Sequence, residues 1–311
     1  MAKIHENAFV PNFCRINLTS VAAAVSFSPA PQLSYFCINN YFRMSFYNNK
    51  VVVVTGGSEG IGKALINELV HAGAKVATCG RNYDKLYSLQ MEYTTFPVHT
   101  MVCDVSKEQE CKRFIDSTLE TFGTIDILIN NAGISMRSLF EDLDVDVIRK
   151  LMDVNFLGSV YCTKYALPSI IREKGSVVGI SSIAGYRGLP GRSGYSASKF
   201  ALQGWLEALR TELMDKGVHI MWVSPGFTAS NIRYAALNPK GEAHGETNLN
   251  EGKLMSAEEV AHRILHAIEK RKRSLAMTFS GKFTIFINKF FPSLADRIMH
   301  KYYFKNGVLS R

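Results

Sequence analysis

The fold of this chain is decided by Val51-Val52-Val53-Val54-Thr55-Gly56-Gly57-Ser58-Glu59-Gly60-Ile61-Gly62. A run of β-branched residues followed by closely spaced glycines predicts a buried strand that turns sharply into a helix, here Lys63 to Ala72. Glycines let the backbone approach a phosphate group, and the N–H groups and positive dipole at a helix start attract its charge. The stretch therefore predicts a phosphate-binding loop between a strand and a helix.

Strands and helices alternate along the rest of the chain. Further strands are predicted at Lys75–Cys79, Val98–Cys103, Ile125–Asn130, Ser176–Ser181 and His219–Val223. Helices are predicted at Tyr83–Tyr93, Lys107–Phe122, Val145–Pro168 and Ser196–Lys216. Because crossovers between parallel strands are right-handed, this order predicts an α/β fold with a single doubly wound, Rossmann-type parallel sheet and helices on both faces.

A second pattern, Tyr195-Ser196-Ala197-Ser198-Lys199, indicates proton-transfer chemistry. A spacing of four residues on a helix places Tyr195 and Lys199 on one face. A free tyrosine keeps its proton until about pH 10, and a neighbouring positive charge lowers that pKa by favouring the phenolate. We therefore expect Tyr195 to act as general acid and base, with its pKa lowered by Lys199.

Five motifs in this order resemble the short-chain dehydrogenase/reductase family. They are the loop Thr-Gly-x-x-x-Gly-x-Gly, then Asn130-Asn131-Ala132-Gly133, then Asn155, then Ser182, then Tyr195 with Lys199. The resemblance runs from Asn49 to Leu275. It implies an oxidoreductase that interconverts a carbonyl and a secondary alcohol by hydride transfer, and it implies a homodimer or homotetramer.

The resemblance assigns the catalytic roles to Asn155, Ser182, Tyr195 and Lys199. Tyr195 would give the proton, Ser182 would donate to the carbonyl oxygen, and Lys199 would also hold the nicotinamide ribose. Asn155 would hold a water that connects Lys199 to solvent. The plain alternatives are a serine at a strand end for Ser182 and a polar helix residue for Asn155.

The resemblance also implies the residues that bind the cofactor, and these include Tyr195 and Lys199. Asp104 and Val105 would hold the adenine, although Asp104 could also cap a helix that starts near Ser106. The Pro225–Thr228 segment would turn beneath the nicotinamide, with a plain turn as the alternative. The remaining contacts would come from Gly56, Ser58, Glu59, Gly60, Ile61, Gly62, Asn131, Ala132, Gly133, Pro225, Gly226 and Thr228.

The end of the second strand predicts which nucleotide is preferred. Folds that bind NAD usually place an acid there, whereas this chain has Gly80-Arg81-Asn82. An arginine can bind a 2′-phosphate through paired hydrogen bonds from its planar guanidinium group. We therefore expect NADP(H) to be preferred over NAD(H). The alternative is that Arg81 merely caps a surface turn, since Glu59 in the loop would not help to bind a phosphate.

The chain divides into three segments by composition. Residues 44–275 form the predicted Rossmann-type domain, and residues 276–311 form a basic, aromatic tail. Residues 1–43 lack periodicity, and Met44 lies at the usual family distance from the first strand. We expect this extension to be disordered or artefactual, with a cleaved signal peptide as the alternative.

The positive charge of the chain is concentrated at its C-terminal end. From Lys270 to Arg311 there are ten Lys or Arg and one acid, a net of +9 that equals the formal charge of all 311 residues. Such a local imbalance argues against a nucleic-acid binder. The tail also carries Phe279, Phe283, Phe286, Phe290, Phe291, Tyr302, Tyr303 and Phe304. It is expected to pack on the domain or a partner subunit, with peripheral contact to an anionic membrane as the alternative.

Composition indicates a cytoplasmic globular protein. The 47% of hydrophobic residues can bury a sizeable core, and the six cysteines show neither disulfide nor metal spacing, so no metal is expected. The substrate would be a small carbonyl or alcohol. The run Ser196-Ala197-Ser198-Lys199-Phe200 and the basic, aromatic tail resemble family members that reduce long-chain or sterol-like ketones, among them 3-ketosphinganine reductases, and this resemblance implies a lipid-like ketone. The segment Ala229–Met255 would be a mobile lid.

The alternative function is a catalytically silent NADP(H)-binding sensor or scaffold.

Overall fold

The computed structural model of the protein describes residues 46–226, 228, 232–243, 245 and 254–309. Its centre is a seven-stranded sheet in which every neighbouring pair of strands is parallel. The strands are β1 Val51–Thr55, β2 Lys75–Gly80, β3 Val98–Val102, β4 Ile127–Asn130, β5 Ser176–Ile180, β6 His219–Ser224 and β7 Ser274–Ala276.

Helices connect the strands and continue beyond the last of them. They are α1 Gly60–His71, α2 Tyr83–Glu92, α3 Glu108–Phe122, α4 Val145–Met152, α5 Gly158–Arg172, α6 Ser193–Glu212, α7 Ala257–Glu269, α8 Phe279–Phe290 and α9 Pro292–Tyr303. Short 3₁₀ turns lie at Phe140–Asp142, Ile183–Gly185 and Met214–Lys216. A two-stranded hairpin, β8 Phe304–Lys305 and β9 Val308–Leu309, follows α9.

The strand order confirms the predicted doubly wound sheet. It reads β3-β2-β1-β4-β5-β6-β7, so the chain moves outward in one direction from β1 and in the other from β4. Ligands of such sheets bind at the carboxyl ends of the strands where the order reverses. In this chain that point lies between β1 and β4, which brings the glycine loop after β1 next to Asn131, directly after β4.

Two apolar layers hold the helices against the sheet. All five residues of β1 are buried, and their side chains alternate between the layers, as the period of a strand requires. Val52 and Val54 contribute to the layer beneath α1 and α7, whereas Val51 and Val53 contribute to the layer beneath α3, α5 and α6. The two-sided burial explains why the strand reads as an unbroken apolar run.

Most element boundaries shift by a few residues from the sequence prediction, and the larger differences concern the middle helices and the last strand. The helix predicted over Val145–Pro168 is interrupted by a π-helical turn, Asp153–Leu157, and α5 runs on to Arg172. The helix that carries Tyr195 begins at Ser193 rather than Ser196. The seventh strand, Ser274–Ala276, was not predicted, and it crosses the boundary drawn at residue 275. The expectation for residues 1–43 lies outside the described residues.

The C-terminal helices pack on the sheet domain. Asn288 of α8 donates a hydrogen bond to the carbonyl of Tyr186 at 2.9 Å, and its own side-chain oxygen accepts one from Arg187 at 2.9 Å. Gly281 of α8 lies so close to Ile183 that an added Cβ would stand 2.7 Å from its Cδ1. The tail is therefore attached to the segment between Ser182 and Tyr195.

Within the described ranges, no helix has the length and apolar character needed to cross a membrane. The four cysteines in those ranges, Cys79, Cys103, Cys111 and Cys162, are buried free thiols, in line with the predicted reduced state.

Removal of a core side chain from α1 should lower stability far more than removal of a surface side chain from the same helix. Leu65 is fully buried, so Leu65→Ala should lower the free energy of unfolding by about 2–5 kcal/mol. The matched control is Lys63→Ala, which removes only an exposed ion pair with Glu92 and should cost less than about 1 kcal/mol. Urea unfolding followed by circular dichroism measures both. Equal losses in the two variants would contradict the assignment of α1 to the core.

Candidate active site

The turn after β1 can be built only from glycine. An added Cβ at Gly57 would lie 2.1 Å from the Thr78 hydroxyl oxygen, and one at Gly62 would lie 2.2 Å from the carbonyl oxygen of Gly56. Gly56 and Gly60 also adopt left-handed backbone angles, with φ of +69° and +53°. These glycines let the turn pack tightly against β2 and the start of α1, where side chains would collide with protein atoms, and we call this turn the cradle.

The first turn of α1 contributes its backbone N–H groups to this cradle. Glu59 is the N-cap residue of α1, yet its side chain makes no capping hydrogen bond. The first N–H groups of a helix have no partner inside the helix, and the helix dipole adds positive charge there. The cradle residues Gly60, Ile61 and Gly62 therefore fit an anionic group such as a pyrophosphate.

Asn131 ties the cradle to the end of β4. Its side-chain amide donates to the carbonyls of Thr55 at 2.9 Å and Gly56 at 3.0 Å. The Thr55 hydroxyl in turn accepts from the backbone N–H groups of Asn131 and Ala132, each at 3.0 Å. The predicted residues Asn131 and Ala132 thus hold the glycine turn in place by their side chain and backbone.

Arg81 and Ser58 lie at the edge of the cradle beside β2. Arg81 is exposed directly after β2, and Ser58 faces the same strand end, with its hydroxyl 3.5 Å from a Cβ placed on Gly80. The cap of α2 is Asn82, whose side chain accepts from the Lys85 N–H at 2.9 Å. Asn82, not Arg81, therefore caps this helix.

Glu59, the acid that counted against phosphate binding, is paired in the structure. Its carboxylate forms an ion pair with the ammonium group of Lys85 on α2. This pairing offsets the negative charge of the loop beside Arg81, and it brings a second basic residue to the same edge.

Asp104 and Val105 lie directly after β3. The Asp104 carboxylate accepts hydrogen bonds from the Ser106 N–H at 3.0 Å and hydroxyl at 2.8 Å. The helix cap considered for Asp104 is wrong, because α3 begins at Glu108, two residues beyond the expected start near Ser106, with Lys107 as its N-cap residue. Asp104 instead holds the turn before α3, and the side chain of Val105 is buried in the core.

Tyr195 and Lys199 lie together on the buried face of α6, as their spacing predicts. Tyr195 is 9% exposed and Lys199 is 4% exposed. The Lys199 Nζ donates to the carbonyl of Ile180 at 2.8 Å and stands 5.7 Å from the centre of the Tyr195 ring. Because Ile180 is the last residue of β5, this hydrogen bond fixes the ammonium at the carboxyl edge of the sheet.

Burial dominates the proton affinities of this pair. It lowers the pKa of Lys199 from the usual lysine range to about 8, because a dry environment penalises the ammonium. Burial also raises the pKa of Tyr195, against the lowering effects of its hydrogen bond with Ser182 and of the Arg192 charge. The expected lowering of the Tyr195 pKa by Lys199 is therefore wrong, since desolvation raises that pKa instead.

Ser182 faces Tyr195 from the turn after β5. It is hydrogen bonded to the Tyr195 side chain, and its hydroxyl oxygen also accepts from the Ala184 N–H at 3.1 Å. The second bond starts a 3₁₀ turn over Ile183–Gly185 and fixes the orientation of the hydroxyl. Two hydroxyl groups thus meet at one point, as the catalytic assignment of Ser182 and Tyr195 requires.

Asn155 lies in the π-helical turn, a feature that is frequent at functional sites. Its fully buried side chain donates to the Ile134 carbonyl at 2.9 Å and to the Ser198 hydroxyl at 2.9 Å, and it accepts from the Ile134 N–H at 2.8 Å. A Cβ on Gly133 would approach the Asn155 Oδ1 to 3.1 Å and the Lys199 Nζ to 3.5 Å. Asn155, Gly133 and Lys199 therefore form one packed layer.

The segment after β6 forms the lower rim of the site. The Thr228 hydroxyl donates to the Gly226 carbonyl at 3.1 Å, and Gly226 packs against Thr278 so closely that a Cβ would clash at 2.3 Å. The expected lid over Ala229–Met255 falls in part outside the described residues. Leu237 within it pairs with Met136 and Ala243.

Two polar residues of the site were missed by the sequence analysis. Arg192 lowers the pKa of Tyr195 and donates to the Ser135 hydroxyl at 3.5 Å, and Ser198 links Asn155 to the Tyr195 carbonyl, to which it donates at 2.8 Å. Arg192 lies three residues before Tyr195 and Ser198 three residues after it. Helical spacing from Tyr195 could have found both.

An apolar cavity of about 470 Å³ lies between α9 and the segment that leads to Tyr195. Its lining combines the apolar side chains of Leu189, Pro190, Met299 and Phe304 with the polar side chains of Arg187, Asp296 and His300. Ser196, the residue after Tyr195, also contributes. In the described ranges, no group of three or more His, Cys, Asp or Glu side chains could hold a metal ion.

Comparison with known proteins agrees with this arrangement. A family model described as short chain dehydrogenase matches residues 50–240, more than half of the chain. A mouse protein named dehydrogenase/reductase SDR family member 7B is 36% identical over 82% of this chain and 81% of its own length. A Drosophila melanogaster protein named dehydrogenase/reductase SDR family protein 7-like is 33% identical over 81% of this chain and 80% of its own length.

Solved structures share the fold. A short-chain dehydrogenase/reductase from Burkholderia phymatum, crystallised in complex with NAD, superposes with a TM-score of 0.72 at 21% identity over 80% of this chain and 95% of its own. A short-chain dehydrogenase from Streptomyces avermitilis superposes with a TM-score of 0.71 at 26% identity over 82% of this chain and 96% of its own.

The burial of Lys199 should make stability depend on pH. Because its pKa is about 8 in the folded protein and near 10.4 in an unfolded chain, the unfolded state binds more protons between these values, and stability from this group rises with pH there. Relative to Lys199→Met, the wild type should gain stability between about pH 7.5 and 9.5. Urea unfolding at both pH values measures the difference.

Leu202→Ala is the matched control, because it removes a buried, uncharged side chain from the same helix. Its loss of stability should be the same at both pH values. If the difference in free energy of unfolding between wild type and Lys199→Met stays constant with pH, burial does not lower the pKa of Lys199.

Proposed function

Because the chain belongs to the short-chain dehydrogenase/reductase family, we propose that it is an NADP(H)-dependent oxidoreductase with Tyr195 as its acid and base. The chain is an oxidoreductase that acts on CH–OH or C=O groups, as its dehydrogenase/reductase relatives are named. The observation that carries the mechanism is the joint burial of Tyr195 and Lys199 beside Ser182 at the carboxyl edge of the sheet.

The cradle fits a nicotinamide dinucleotide. Such a cofactor, when bound, supplies or accepts the hydride. Gly60, Ile61 and Gly62 would hold its pyrophosphate through their N–H groups, and Lys199 would hold the nicotinamide ribose. Support comes from the tight glycine turn between β1 and α1, and from the bacterial protein of the same fold that was crystallised with NAD.

Charge at the edge of the cradle favours NADP(H) over NAD(H). Arg81 is exposed where an NAD-binding fold usually has an acid, and Asn82 provides the cap of α2 in its place. The ion pair between Lys85 and Glu59 offsets the nearby acid. A 2′-phosphate would thus meet a positive edge, with the guanidinium of Arg81 as its principal partner.

Tyr195 supplies the proton for carbonyl reduction. Its raised pKa keeps the phenol protonated, which suits a proton donor. As the proton leaves, the nearby Lys199 ammonium stabilises the phenolate charge. Ser182 can donate its hydroxyl hydrogen to the same carbonyl oxygen, because its bond from the Ala184 N–H uses only a lone pair and leaves the O–H as a donor. Asn155 and Ser198 position α6 and hold this geometry.

The substrate is a small carbonyl or alcohol compound, and we propose a lipid-like ketone. Two observations support this class: the apolar cavity beside the segment that leads to Tyr195, and the exposed aromatic residues of the adjoining tail. We also propose that the protein is cytoplasmic and peripheral to membranes, and that it forms a homodimer or homotetramer as the family resemblance implies. Nucleic acid is not proposed as a partner.

Replacement of Tyr195 by phenylalanine should nearly abolish turnover and leave cofactor binding intact. Loss of a positioned proton donor typically lowers kcat by about 10²–10⁴-fold, whereas the cradle is untouched. The measurement is NADPH oxidation against acyl-chain ketones, sterol ketones, sugars and small aldehydes, with NADPH binding by fluorescence titration.

The exposed Tyr87→Phe is the control and should keep wild-type turnover. Turnover retained in Tyr195→Phe would overturn the mechanism. Wild-type protein that binds NADPH but reduces none of these carbonyls would favour a sensor.

Reversal of charge at Arg81 should weaken NADPH binding more than NADH binding. A charge-assisted contact to a phosphate contributes about 1.5–3 kcal/mol, so Arg81→Glu should raise the Kd for NADPH at least about tenfold and change that for NADH much less. Arg113→Glu, an exposed arginine of α3, is the matched control and should change neither value. Wild-type protein that binds NADH more tightly than NADPH would reject the assignment.

A further inference from the structure

The outer face of α8 and α9 exposes a continuous strip of apolar side chains. On α8, Phe279, Phe283, Phe286 and Phe290 follow one another at spacings of three or four residues and are 51–85% exposed. On α9, Leu294, Ile298 and Tyr302 are spaced four apart and are 40–46% exposed. Such spacings place each set on one face of its helix.

Aromatic contacts join the two helices into one surface. The Phe286 ring lies 5.0 Å from that of Phe290 and 6.5 Å from that of Phe291 at the junction of the helices. We call the apolar side chains Phe279, Phe283, Phe286, Phe290, Phe291, Leu294, Ile298 and Tyr302 the outer strip.

The arrangement reverses the usual amphipathic helix, which turns its apolar face to the core. Polar or small residues attach α8 to the domain, namely Asn288 and Gly281, whereas its phenylalanines point outward. In α9, Ala295 and Tyr303 face inward and are buried. An apolar surface that the core does not cover, and that is rimmed by polar residues, marks a site of interaction.

Basic side chains flank the outer strip. Lys282 and Lys289 lie on α8, Arg297 and Lys301 lie on α9, and all four are exposed. Lys289 also stands 5.5 Å from the centre of the Phe290 ring. Among the described residues beyond Glu269, the one acid is Asp296, and its carboxylate forms an ion pair with Arg187 of the sheet domain.

We propose that the outer strip and its four flanking basic residues dock on the surface of a bilayer that contains anionic lipids. Phenylalanine, leucine and tyrosine side chains enter the boundary between headgroups and acyl chains, and lysine and arginine meet the headgroup charge. The two helices lie in the plane of the membrane and do not cross it.

Charge favours an anionic bilayer over a second copy of the chain as the partner of the outer strip. An isologous dimer through the outer strip would bring the same lysines and arginines of two copies together without acids to pair them, and like charges repel. An anionic bilayer presents the opposite charge over a broad surface, and it accepts an apolar strip that runs along two helices.

Docking at this surface would bring the catalytic segment close to the membrane. Asn288 of α8 is bonded to Tyr186 and Arg187, and the apolar cavity beside α9 is lined by the residues that follow them. A lipid-like ketone would then reach the site from the bilayer. This last step alone rests on the proposed function.

Flotation of the full-length protein with vesicles tests the proposal independently of any turnover. We expect it to bind vesicles of phosphatidylcholine and phosphatidylserine at least about tenfold more tightly than vesicles of phosphatidylcholine alone, and to lose this preference at about 1 M salt. Phe283→Ser/Phe286→Ser/Phe290→Ser should weaken binding to both at least about tenfold. Lys282→Glu/Lys289→Glu should remove only the preference for anionic vesicles.

Tyr87→Ser/Met214→Ser is the matched control, because it removes two exposed apolar side chains outside the tail and should leave vesicle binding unchanged. Circular dichroism and thermal unfolding establish that each variant is folded. Failure of the wild-type protein to bind either vesicle would overturn the proposal. Unchanged binding in the triple phenylalanine variant would do the same. A fall from dimer to monomer in that variant, with no vesicle binding by the wild type, would assign the outer strip to an interface between copies.

Discussion

The close approach of the backbone at the carboxyl ends of β1 and β4 is the constraint on which the site depends. Side chains at Gly56, Gly57 and Gly62 would collide with Ala132, Thr78 or the loop itself, so the turn can pass this point only as glycine. Asn131 then holds the turn by two hydrogen bonds to its carbonyls. Because the strands are parallel, the same edge receives Ser182 after β5 and the ammonium of Lys199. The cradle and the proton-transfer group are therefore neighbours by topology.

The catalytic group depends on burial as much as on spacing. Lys199 and Tyr195 share the inner face of α6, and the dry surroundings shift both toward their neutral forms. The hydrogen bond from Lys199 to Ile180 and that between Ser182 and Tyr195 hold the groups in place despite this cost. Such opposed demands of stability and chemistry are typical of active sites. They explain why three polar groups occupy a position where apolar residues would be more stable.

Local patterns in the sequence were sufficient for the sheet, the cradle and the positions of Tyr195 and Lys199 on one helix face. The glycine spacing predicts a tight turn because side chains at those positions would collide with neighbouring atoms. A spacing of four residues places two side chains on one face of a helix. Features that depend on tertiary contacts were not predicted. The pKa of Tyr195 follows from its burial, and the role of Asp104 follows from where α3 begins. The seventh strand is only three residues long, and the pairing that defines it is with β6. The aromatic tail could be recognised from the sequence, but which face it exposes depends on Asn288 and Gly281.

The proposed function rests on one property of this chain, the transfer of hydride between a nicotinamide cofactor and a carbonyl carbon. The most direct measurement is the transfer of deuterium from NADPH labelled at C4 of the nicotinamide to the product alcohol, followed by mass spectrometry during incubation of the full-length protein with acyl-chain ketones. The account predicts an alcohol that carries deuterium on the former carbonyl carbon. Tight binding of labelled NADPH with no deuterium in any product, across acyl-chain ketones, sterol ketones, sugars and small aldehydes, would contradict it.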